Sequence, residues 1–430
     1  MNNDLNTPKH LQTQKYYLNN LGIINALGHD QDTVLANLMA ASQDGLRQRE
    51  GLLLRAAGAP GGNFTWVGEI RSPLPVLPAE MVQHHSRNNQ LALAALLQID
   101  DDIRALISRY GAHRIAVVVG SSTSGIWEGE AAILAQQSQG EWGPHYHFGQ
   151  QEIGAPSEFV SDYYGLSGPS YTISTACSSS AKAFASARNL LDMELCEAVL
   201  VGGVDSLCRL TLSGFNALES ISSAKANPFS QNRAGITIGE GAAFFIVSRE
   251  PADMVLAGCG DSSDAYHISA PEPDGKGAEA AIHAALQQAG AELGDVSYIN
   301  LHGTATIKND EMESRVVNRL FGAALPVSSS KAQIGHTLGA SGANEVGLCW
   351  LALSNKNKAH TLPPHCWDGE RDMALARVNL VAQGDTYRPV GKQLFISNSF
   401  AFGGNNACVA IARDFDSHTF EHHKKDEQPA

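Results

Sequence analysis

Short, nearly continuous apolar runs alternate with longer helix-like stretches along most of the chain, and this alternation constrains the fold more than any other feature. An uninterrupted apolar strand is typical of a sheet that is covered on both faces. Seven such strands are predicted, at residues 21–25, 115–119, 198–201, 242–247, 298–301, 394–397 and 407–411. Five helices are predicted between them, at residues 88–107, 178–195, 277–289, 310–321 and 339–354. The pattern indicates an α/β architecture.

One boundary is visible within the 430 residues. The apolar strand GAAFFIVS ends in charged residues and a proline, and a new strand, MVLAGCG, then begins. We therefore expect an N-terminal half over residues 17–250 and a similar C-terminal half over residues 251–414. Residues 1–16 are expected to form a disordered tail and residues 415–430 a polar tail, because both segments are rich in polar side chains.

Charge and cysteine usage exclude several kinds of partner and site. The chain has 30 basic and 44 acidic residues, and a net charge of −14 disfavours nucleic acid as a partner. Its seven cysteines include no Cys-x-x-Cys pair and are odd in number, so neither a disulfide framework nor a cysteine zinc site is expected. The first sixteen residues lack the apolar segment of a signal peptide, and no stretch approaches the apolar length of a membrane span. A cytoplasmic location fits these observations.

One cysteine has the local setting of a nucleophile. The segment SYTISTACSSSAKAFASARNLLD places Cys177 at the turn from a β-rich stretch into a helix of small residues. Unpaired N–H groups at the start of a helix stabilise a thiolate, so we expect the pKa of Cys177 to be lowered. From this segment alone, a buried structural cysteine is the alternative.

Further polar side chains lie at strand ends and in glycine-rich turns. VSYINLHGTAT places His302 directly after a strand, where α/β sheets present ligand contacts. KAQIGHTLGASGANEV places Lys331 and His336 in a glycine-rich segment, followed by a helix from which Glu345 can reach back to a cation. ISNSFAFGGNNACVAIA joins two strands by a double-glycine turn. Each motif alone could be structural, but together they suggest thioester chemistry.

In this order, the motifs resemble those of the elongating β-ketoacyl-acyl-carrier-protein synthases of the thiolase superfamily. The similarity runs from about residue 17 to residue 413 and includes LGIINALG, TACSSS, NPFSQNRAGITIGEGA, HGTAT, KAQIGHTLGASGANE and SNSFAFGGNNA. It implies the thiolase fold, in which two similar βαβαβαββ halves form a five-layered αβαβα sandwich. It also implies a decarboxylative Claisen condensation between an acyl thioester and a malonyl-carrier, in fatty-acid, polyene or polyketide elongation.

The resemblance also implies the catalytic roles. Cys177 is the expected nucleophile, and its backbone N–H is expected to form the oxyanion hole with that of Phe402. His302 and His336 correspond to the pair that assists decarboxylation of the malonyl group. A neutral imidazole that donates a hydrogen bond to the thioester carbonyl stabilises the enolate as CO2 leaves.

Other implied residues support this set or contact the substrate. The supporting residues are the Lys331–Glu345 ion pair and Asp310 behind the His302 loop. The substrate contacts are Thr304 and Thr306 on the phosphopantetheine arm, Phe400 and Phe402 in the gate loop, Ile236 in the acyl pocket, and Thr123 across a dimer interface. No metal or redox cofactor is implied, because the substrates are carried on the phosphopantetheine of an acyl carrier protein.

Several positions depart from the family's pattern. They are Ala401 and Asn405 in the gate motif, Ile307 and Lys308 after HGTAT where a proline is familiar, Ser230 and Ala234 in place of acidic residues, and Ile236 in place of an aromatic residue. The missing ring at position 236 is expected to change the shape of the acyl pocket. With the NALG opening, these departures resemble ketosynthases of secondary-metabolite clusters, such as those that make aryl polyenes.

The resemblance implies two kinds of partner. One is an acyl carrier protein, which is acidic in this family, so that docking on a net negative chain requires a local basic patch. The candidates are Arg47, Arg49, Arg55, Arg71 and Arg87, with ordinary solvated arginines as the alternative. The other is a second subunit: a homodimer is expected, and a heterodimer with a second ketosynthase subunit is the alternative.

Other functions remain open from the sequence. A degradative thiolase needs a second cysteine in the last motif and an initiating synthase pairs a histidine with an asparagine, so the two histidines favour elongation. The alternative function is a non-catalytic chain-length partner subunit of a heterodimeric ketosynthase. Such subunits typically lack the nucleophile that Cys177 supplies. A carrier-binding scaffold without turnover has no need of the Cys/His/His set.

Overall fold

The computed structural model describes residues 14–53, 64–143 and 146–415. Within these ranges the strands are β1 (Tyr17–Asn25), β2 (Leu46–Glu50), β3 (Phe64–Gly68), β4 (Ile115–Gly120), β5 (Ser170–Ile173), β6 (Ala198–Asp205), β7 (Ile238–Gly239), β8 (Gly241–Ser248), β9 (Met254–Ser263), β10 (Val296–Asn300), β11 (Pro326–Ser328), β12 (Asn379–Leu380), β13 (Gly391–Phe400) and β14 (Asn405–Phe415). The α-helices are α1 (Gln31–Met39), α2 (Arg87–Leu96), α3 (Asp100–Tyr110), α4 (Ile126–Gln139), α5 (Ala155–Tyr164), α6 (Ser179–Asp192), α7 (Arg209–Ala217), α8 (Lys276–Ala289), α9 (Ile307–Phe321), α10 (Lys331–Ile334) and α11 (Ser341–Leu353). Short 3-10 helices span Ala79–His84, Leu97–Ile99, Ala112–Arg114, Phe148–Gln151, Leu293–Asp295 and Leu338–Ala340. No helix in the described part of the chain is both long and apolar enough to cross a membrane.

Ten of these strands form two units with the same strand order. The first unit runs β5-β4-β6-β8-β1 and the second runs β11-β10-β13-β14-β9, with β12 added beside β11. In each unit the last strand along the chain is antiparallel to both of its neighbours, and the other pairs are parallel. The two units meet edge to edge at the pair Tyr17–Val255. The chain therefore consists of two halves of equal topology, as the sequence predicts.

Two buried helices, α6 and α11, lie between these units. Both contact strands of both units, and one apolar core contains residues of α6, α11 and both sheets. The helices touch closely, since a Cβ on Gly342 would lie 2.5 Å from the backbone nitrogen of Ala181. A second core joins the first sheet to α2, α3 and α5, and a third joins the second sheet to α8 and α9. These three cores separate five layers, which confirms the predicted αβαβα sandwich.

The predicted elements are present, with informative differences at their ends. All seven predicted strands lie within or overlap β1, β4, β6, β8, β10, β13 and β14. The predicted helix over residues 88–107 is instead two helices, α2 and α3, separated by a 3-10 turn. Three aspartates at positions 100–102 occupy the first turn of α3, where negative charge favours a helix start.

The structure changes the predicted borders of both tails. Tyr16 was assigned to the N-terminal tail, but it is 1% exposed and donates a hydrogen bond to Asp192. Phe415 was assigned to the C-terminal tail, but it is the last residue of β14. Both assignments were wrong by one residue, because each aromatic residue packs at the end of a strand. The rest of the two predicted tails, residues 1–13 and 416–430, lies outside the described residues.

Candidate active site

Cys177 lies between β5 and α6, in a turn that needs an unusual backbone conformation. Ala176 has a φ of 52°, in the left-handed region that non-glycine residues rarely adopt. The turn leaves Cys177 5% exposed. Burial raises the pKa of the Cys177 thiol to about 11, although the Lys331 charge and the backbone N–H groups of Phe402 and Cys177 favour the thiolate. The expected lowering was wrong, because the cost of burying a charge exceeds the effect of these donors.

His336 faces the sulfur. Its Nε2 atom lies 3.0 Å from Sγ of Cys177. The backbone of His336 is fixed at β7, where its N–H donates to the carbonyl oxygen of Thr237 at 2.6 Å and its own oxygen accepts from Gly239 at 2.9 Å. On the far side of the ring, the backbone N–H of Leu338 donates to Nδ1 at 3.3 Å. Because Nδ1 accepts this bond, the neutral ring carries its proton on Nε2, directed at the sulfur.

His302 completes the group from the end of β10. Its ring is edge-on to that of His336, with 5.5 Å between centroids. Its Nδ1 lies 3.5 Å from Nζ of Lys331, and Lys331 also forms an ion pair with Glu345. An ammonium group can only donate, so Nδ1 of His302 is the acceptor and Nε2 carries the proton. Both members of the ion pair are 1% exposed.

Both imidazoles are held neutral. Burial lowers the pKa of His302 and of His336 well below the usual value, and the positive charge of Lys331 lowers both further. Ligand atoms of Cys177, His302 and His336 lie within 4.8 Å of one another, a set that also occurs in metal sites. A buried ammonium beside His302 disfavours a cation at this position. The arrangement instead presents two N–H donors and a sulfur to one small volume.

Two buried carboxylates fix the turn after β10. Glu313 accepts the backbone N–H groups of His302 and Gly303, each at 2.8 Å. Asp310 accepts the N–H of Ala305 at 3.2 Å. Burial raises the pKa of Glu313 to about 7 and that of Asp310 to about 6. The structure thus places Asp310 behind the His302 loop, and it adds Glu313, which the sequence analysis missed although the two acids share one face of α9.

A pocket of about 290 Å³ leads from Cys177 to the surface. Its lining includes all the expected substrate contacts except Thr123: Ile236, Thr304, Thr306, Phe400 and Phe402. The hydroxyls of Thr304 and Thr306 are hydrogen-bonded at 3.0 Å. The ring of Phe402 lies 5.5 Å from that of Phe215, which also lines the pocket.

The gate turn depends on glycine. Gly404 has a φ of 79°, and a Cβ there would lie 2.3 Å from the carbonyl oxygen of Asp264. Any other side chain would therefore push the turn away from the pocket. Asp264 is held in turn by the side chain of Asn406 at 2.9 Å.

Thr123 does not line the pocket that contains Cys177. It is 0% exposed in the single chain. Its backbone N–H and its hydroxyl both donate to Asp205 at 2.8 Å. Asp205 also accepts the N–H of Ala340, just before α11. These hydrogen bonds direct Thr123 into the interior of its own chain, and its expected place across a dimer interface stays a prediction.

The candidate docking arginines differ in availability. Arg87 forms an ion pair at 2.5 Å with Glu240, which is 0% exposed, so the charge of Arg87 is already paired inside the fold. Arg49 is paired with Glu69, and Arg47 is half-buried. Arg71 is exposed. The candidate Arg55 lies outside the described residues.

Comparison with known families agrees with this architecture. The family described as "Beta-ketoacyl synthase, N-terminal domain" matches residues 75–252, and "Beta-ketoacyl synthase, C-terminal domain" matches residues 254–365. A "3-oxoacyl-[acyl-carrier-protein] synthase 2" of Staphylococcus aureus (strain COL) is 30% identical over 345 residues, which cover 76% of this chain and 82% of the relative. The chain belongs to the β-ketoacyl synthase family.

Two further β-ketoacyl synthase comparisons extend the similarity. A protein of the same name from Rhizobium meliloti (strain 1021) is 34% identical over 273 residues, which cover 59% of this chain and 63% of that relative. A chain of the solved complex of a ketosynthase with its chain length factor, from Xenorhabdus doucetiae, is 43% identical with a TM-score of 0.87. That match covers 95% of this chain and 100% of the other.

Proposed function

We propose that this β-ketoacyl synthase is the condensing enzyme itself: it accepts an acyl group on Cys177 and joins it to a malonyl unit with loss of CO2. The observation that carries the proposal is the 3.0 Å separation of Cys177 Sγ and His336 Nε2, inside a pocket that also contains His302. A subunit without turnover would have no use for a buried thiol surrounded by three aimed N–H donors.

The first step is transfer of the acyl group. Cys177 attacks the carbonyl carbon of the carrier thioester, the bond to the carrier sulfur breaks, and the proton of the thiol passes to the departing sulfur. The thiolate that forms transiently faces the Nε2–H of His336 and the backbone N–H groups of Cys177 and Phe402. The same two backbone groups are placed to hold the oxyanion of the tetrahedral intermediate. Burial keeps the resting thiol protonated, so the nucleophile is generated only when substrate is bound.

The second step is decarboxylative condensation. As CO2 leaves the malonyl thioester, negative charge develops on the thioester oxygen. His302 and His336 each direct a neutral Nε2–H at the pocket, and such donors stabilise the enolate without prior proton transfer. The enolate carbon then attacks the acyl carbonyl, and the Cys177 sulfur leaves. Lys331 acts through His302, because its ammonium fixes which ring nitrogen carries the proton.

The proposal extends to substrates and partners. Relatives are named 3-oxoacyl-[acyl-carrier-protein] synthase 2, which supports acyl and malonyl groups carried on phosphopantetheine as the substrates, with Thr304 and Thr306 along the arm. The complex from Xenorhabdus doucetiae pairs a ketosynthase with a chain length factor, which supports a heterodimer, the alternative to the expected homodimer. All seven cysteines are free, in agreement with the proposed cytoplasmic location.

The test is the intact mass of the protein after incubation with saturated, polyunsaturated and aryl-capped acyl-carrier thioesters. An acyl adduct on wild type that is absent from Cys177→Ala is expected, and the donor that labels names the acyl class. Cys408→Ala is the matched control, because Cys408 is also buried but lies within β14, away from the pocket. Carrier binding without any adduct would instead support the non-catalytic partner subunit.

A further inference from the structure

The segment that follows β10 lines the pocket from the catalytic centre to the solvent. The lining of the pocket that contains Cys177 includes His302, Thr304, Thr306 and Lys308. Their exposure rises in that order: His302 is 2% exposed, Thr304 is 6% exposed, Thr306 is half-buried and Lys308 is exposed. A substrate arm that enters from solvent and ends at Cys177 therefore runs along this segment, with Lys308 at its outer end.

The charge of Lys308 is available for a ligand. Within the described residues its ammonium forms no ion pair or hydrogen bond. Lys308 lies in the first turn of α9, whose positive end has the same sign. The nearby acids Asp310 and Glu313 are buried and bind backbone N–H groups of the segment. The outer end of the pocket thus presents an exposed cation on the segment that carries two threonine hydroxyls.

We propose that Lys308 binds the phosphate group of the phosphopantetheine arm, a contact that rests on the proposed function. Through this contact the enzyme distinguishes phosphorylated from unphosphorylated donors. In this arm the thioester lies at one end and the phosphate at the other. When the thioester reaches Cys177, the phosphate lies near the mouth of the pocket. An ammonium group there is a natural partner for a phosphate oxygen.

Two acidic residues, Glu219 and Asp264, also line this pocket, and Glu219 provides a control. Glu219 is exposed, lines the same pocket and forms no ion pair within the described part of the chain. Its carboxylate repels a phosphate, so Glu219→Gln and Lys308→Gln remove opposite charges from one pocket. Lys308→Arg keeps the charge and tests whether charge, rather than packing, is required.

The experiment compares three donors that bear the same acyl group: the acyl-carrier, the acyl-phosphopantetheine without the carrier, and the acyl-pantetheine without phosphate. For Lys308→Gln we expect KM to rise roughly two- to fivefold with both phosphorylated donors, the size of one exposed ion pair, and to stay the same with acyl-pantetheine. Added salt should reduce the difference. Lys308→Arg should keep KM near the wild-type value, and Glu219→Gln should not raise KM.

Two results would overturn the proposal. A higher KM with the acyl-carrier alone would show that Lys308 contacts the protein surface of the carrier instead of the phosphate. Equal KM values for wild type and Lys308→Gln with every donor would show that Lys308 contacts neither. Failure of wild type to transfer any of the three acyl groups to Cys177 would contradict the proposed function itself, which distinguishes the two failures.

Discussion

Glu313 accepts the backbone N–H of His302 at 2.8 Å, and its second oxygen accepts that of Gly303 at the same distance. Both oxygens reach these donors because Glu313 lies on α9, the helix that follows the turn. The direction in which the His302 ring enters the pocket therefore depends on an acid that does not line the pocket. This makes Glu313 a positioning residue.

Glu313→Gln should lower kcat for condensation about tenfold while leaving KM for the acyl donor nearly unchanged. An amide oxygen can accept one of the two N–H groups, but the amide nitrogen cannot accept the other, and an unsatisfied buried donor costs about 1–3 kcal/mol. Malonyl-carrier decarboxylation by an acylated enzyme is the measurement. Acylation of Cys177, which uses other donors, serves as the internal control, and an equal loss in both steps would indicate general misfolding.

The same carboxyl should give a defined pH dependence of stability. Burial raises the pKa of Glu313 to about 7, so the folded chain holds a proton there that the unfolded chain has already released above its ordinary pKa of 4.5. Stability from this group is therefore greatest at low pH and falls as pH rises towards 7. The buried histidines act in the opposite sense, because their pKa values are lowered and the unfolded chain binds protons that the folded chain does not.

Denaturant unfolding of wild type and Glu313→Gln between pH 4.5 and 8 separates these contributions. The free energy of unfolding of wild type should fall relative to that of Glu313→Gln as pH rises to about 7. Above that pH, the difference between the two should stay constant. Histidine titration is common to both proteins and cancels. A difference that does not change with pH would show that Glu313 has an ordinary pKa in the folded protein.

The buried ion pair between Lys331 and Glu345 allows structure and chemistry to be tested apart. Lys331→Met leaves the Glu345 carboxylate buried without its partner, and should destabilise the fold by about 3–5 kcal/mol. The double variant Lys331→Met/Glu345→Leu should recover most of that stability, since an apolar pair can replace a buried ion pair. Its decarboxylation rate should stay low, because Nδ1 of His302 has lost the donor that fixes its proton on Nε2. Recovery of both properties would restrict Lys331 to a structural role.

Local sequence was sufficient for much of the fold and for the placement of the central residues. Near-continuous apolar runs marked seven strands, and the turn motifs placed Cys177, His302 and His336 at strand and helix ends, which the topology brings to one pocket. The sequence did not reveal the short strands β11 and β12 at one end of the sheet, because their few residues carry no periodic pattern. The raised pKa of Cys177 was missed because it depends on burial by distant segments.

Substitutions that look like losses in the sequence can be compensated across the fold. Ser230 stands where an acidic residue is usual, but its hydroxyl donates to the carboxylate of Asp368 at 2.8 Å. Asn227 and Asn232 bind the same carboxylate, at 2.7 Å and 2.8 Å. An acid is therefore supplied by a segment 138 residues away in the chain, a pairing that one sequence without its fold does not show.

The departure at Asn405 has a similar partner, and it leads to a test of the gate. Nζ of Lys182 donates to Oδ1 of Asn405 at 3.0 Å, and it lies 3.6 Å from Asp261. Lys182 belongs to α6, the helix that begins just after Cys177, so the bond ties the gate turn to the start of the helix beside the nucleophile.

Lys182→Met and Asn405→Ala should each loosen the turn and change the rate at which long acyl donors acylate Cys177. In a double-mutant cycle, the coupling energy for acylation should be about 1.5 kcal/mol, the lower end for one hydrogen bond to a charged group. Short acyl donors should show less coupling, because they require less movement of Phe402, and additive effects for every donor would show that the Lys182–Asn405 bond does not control the gate.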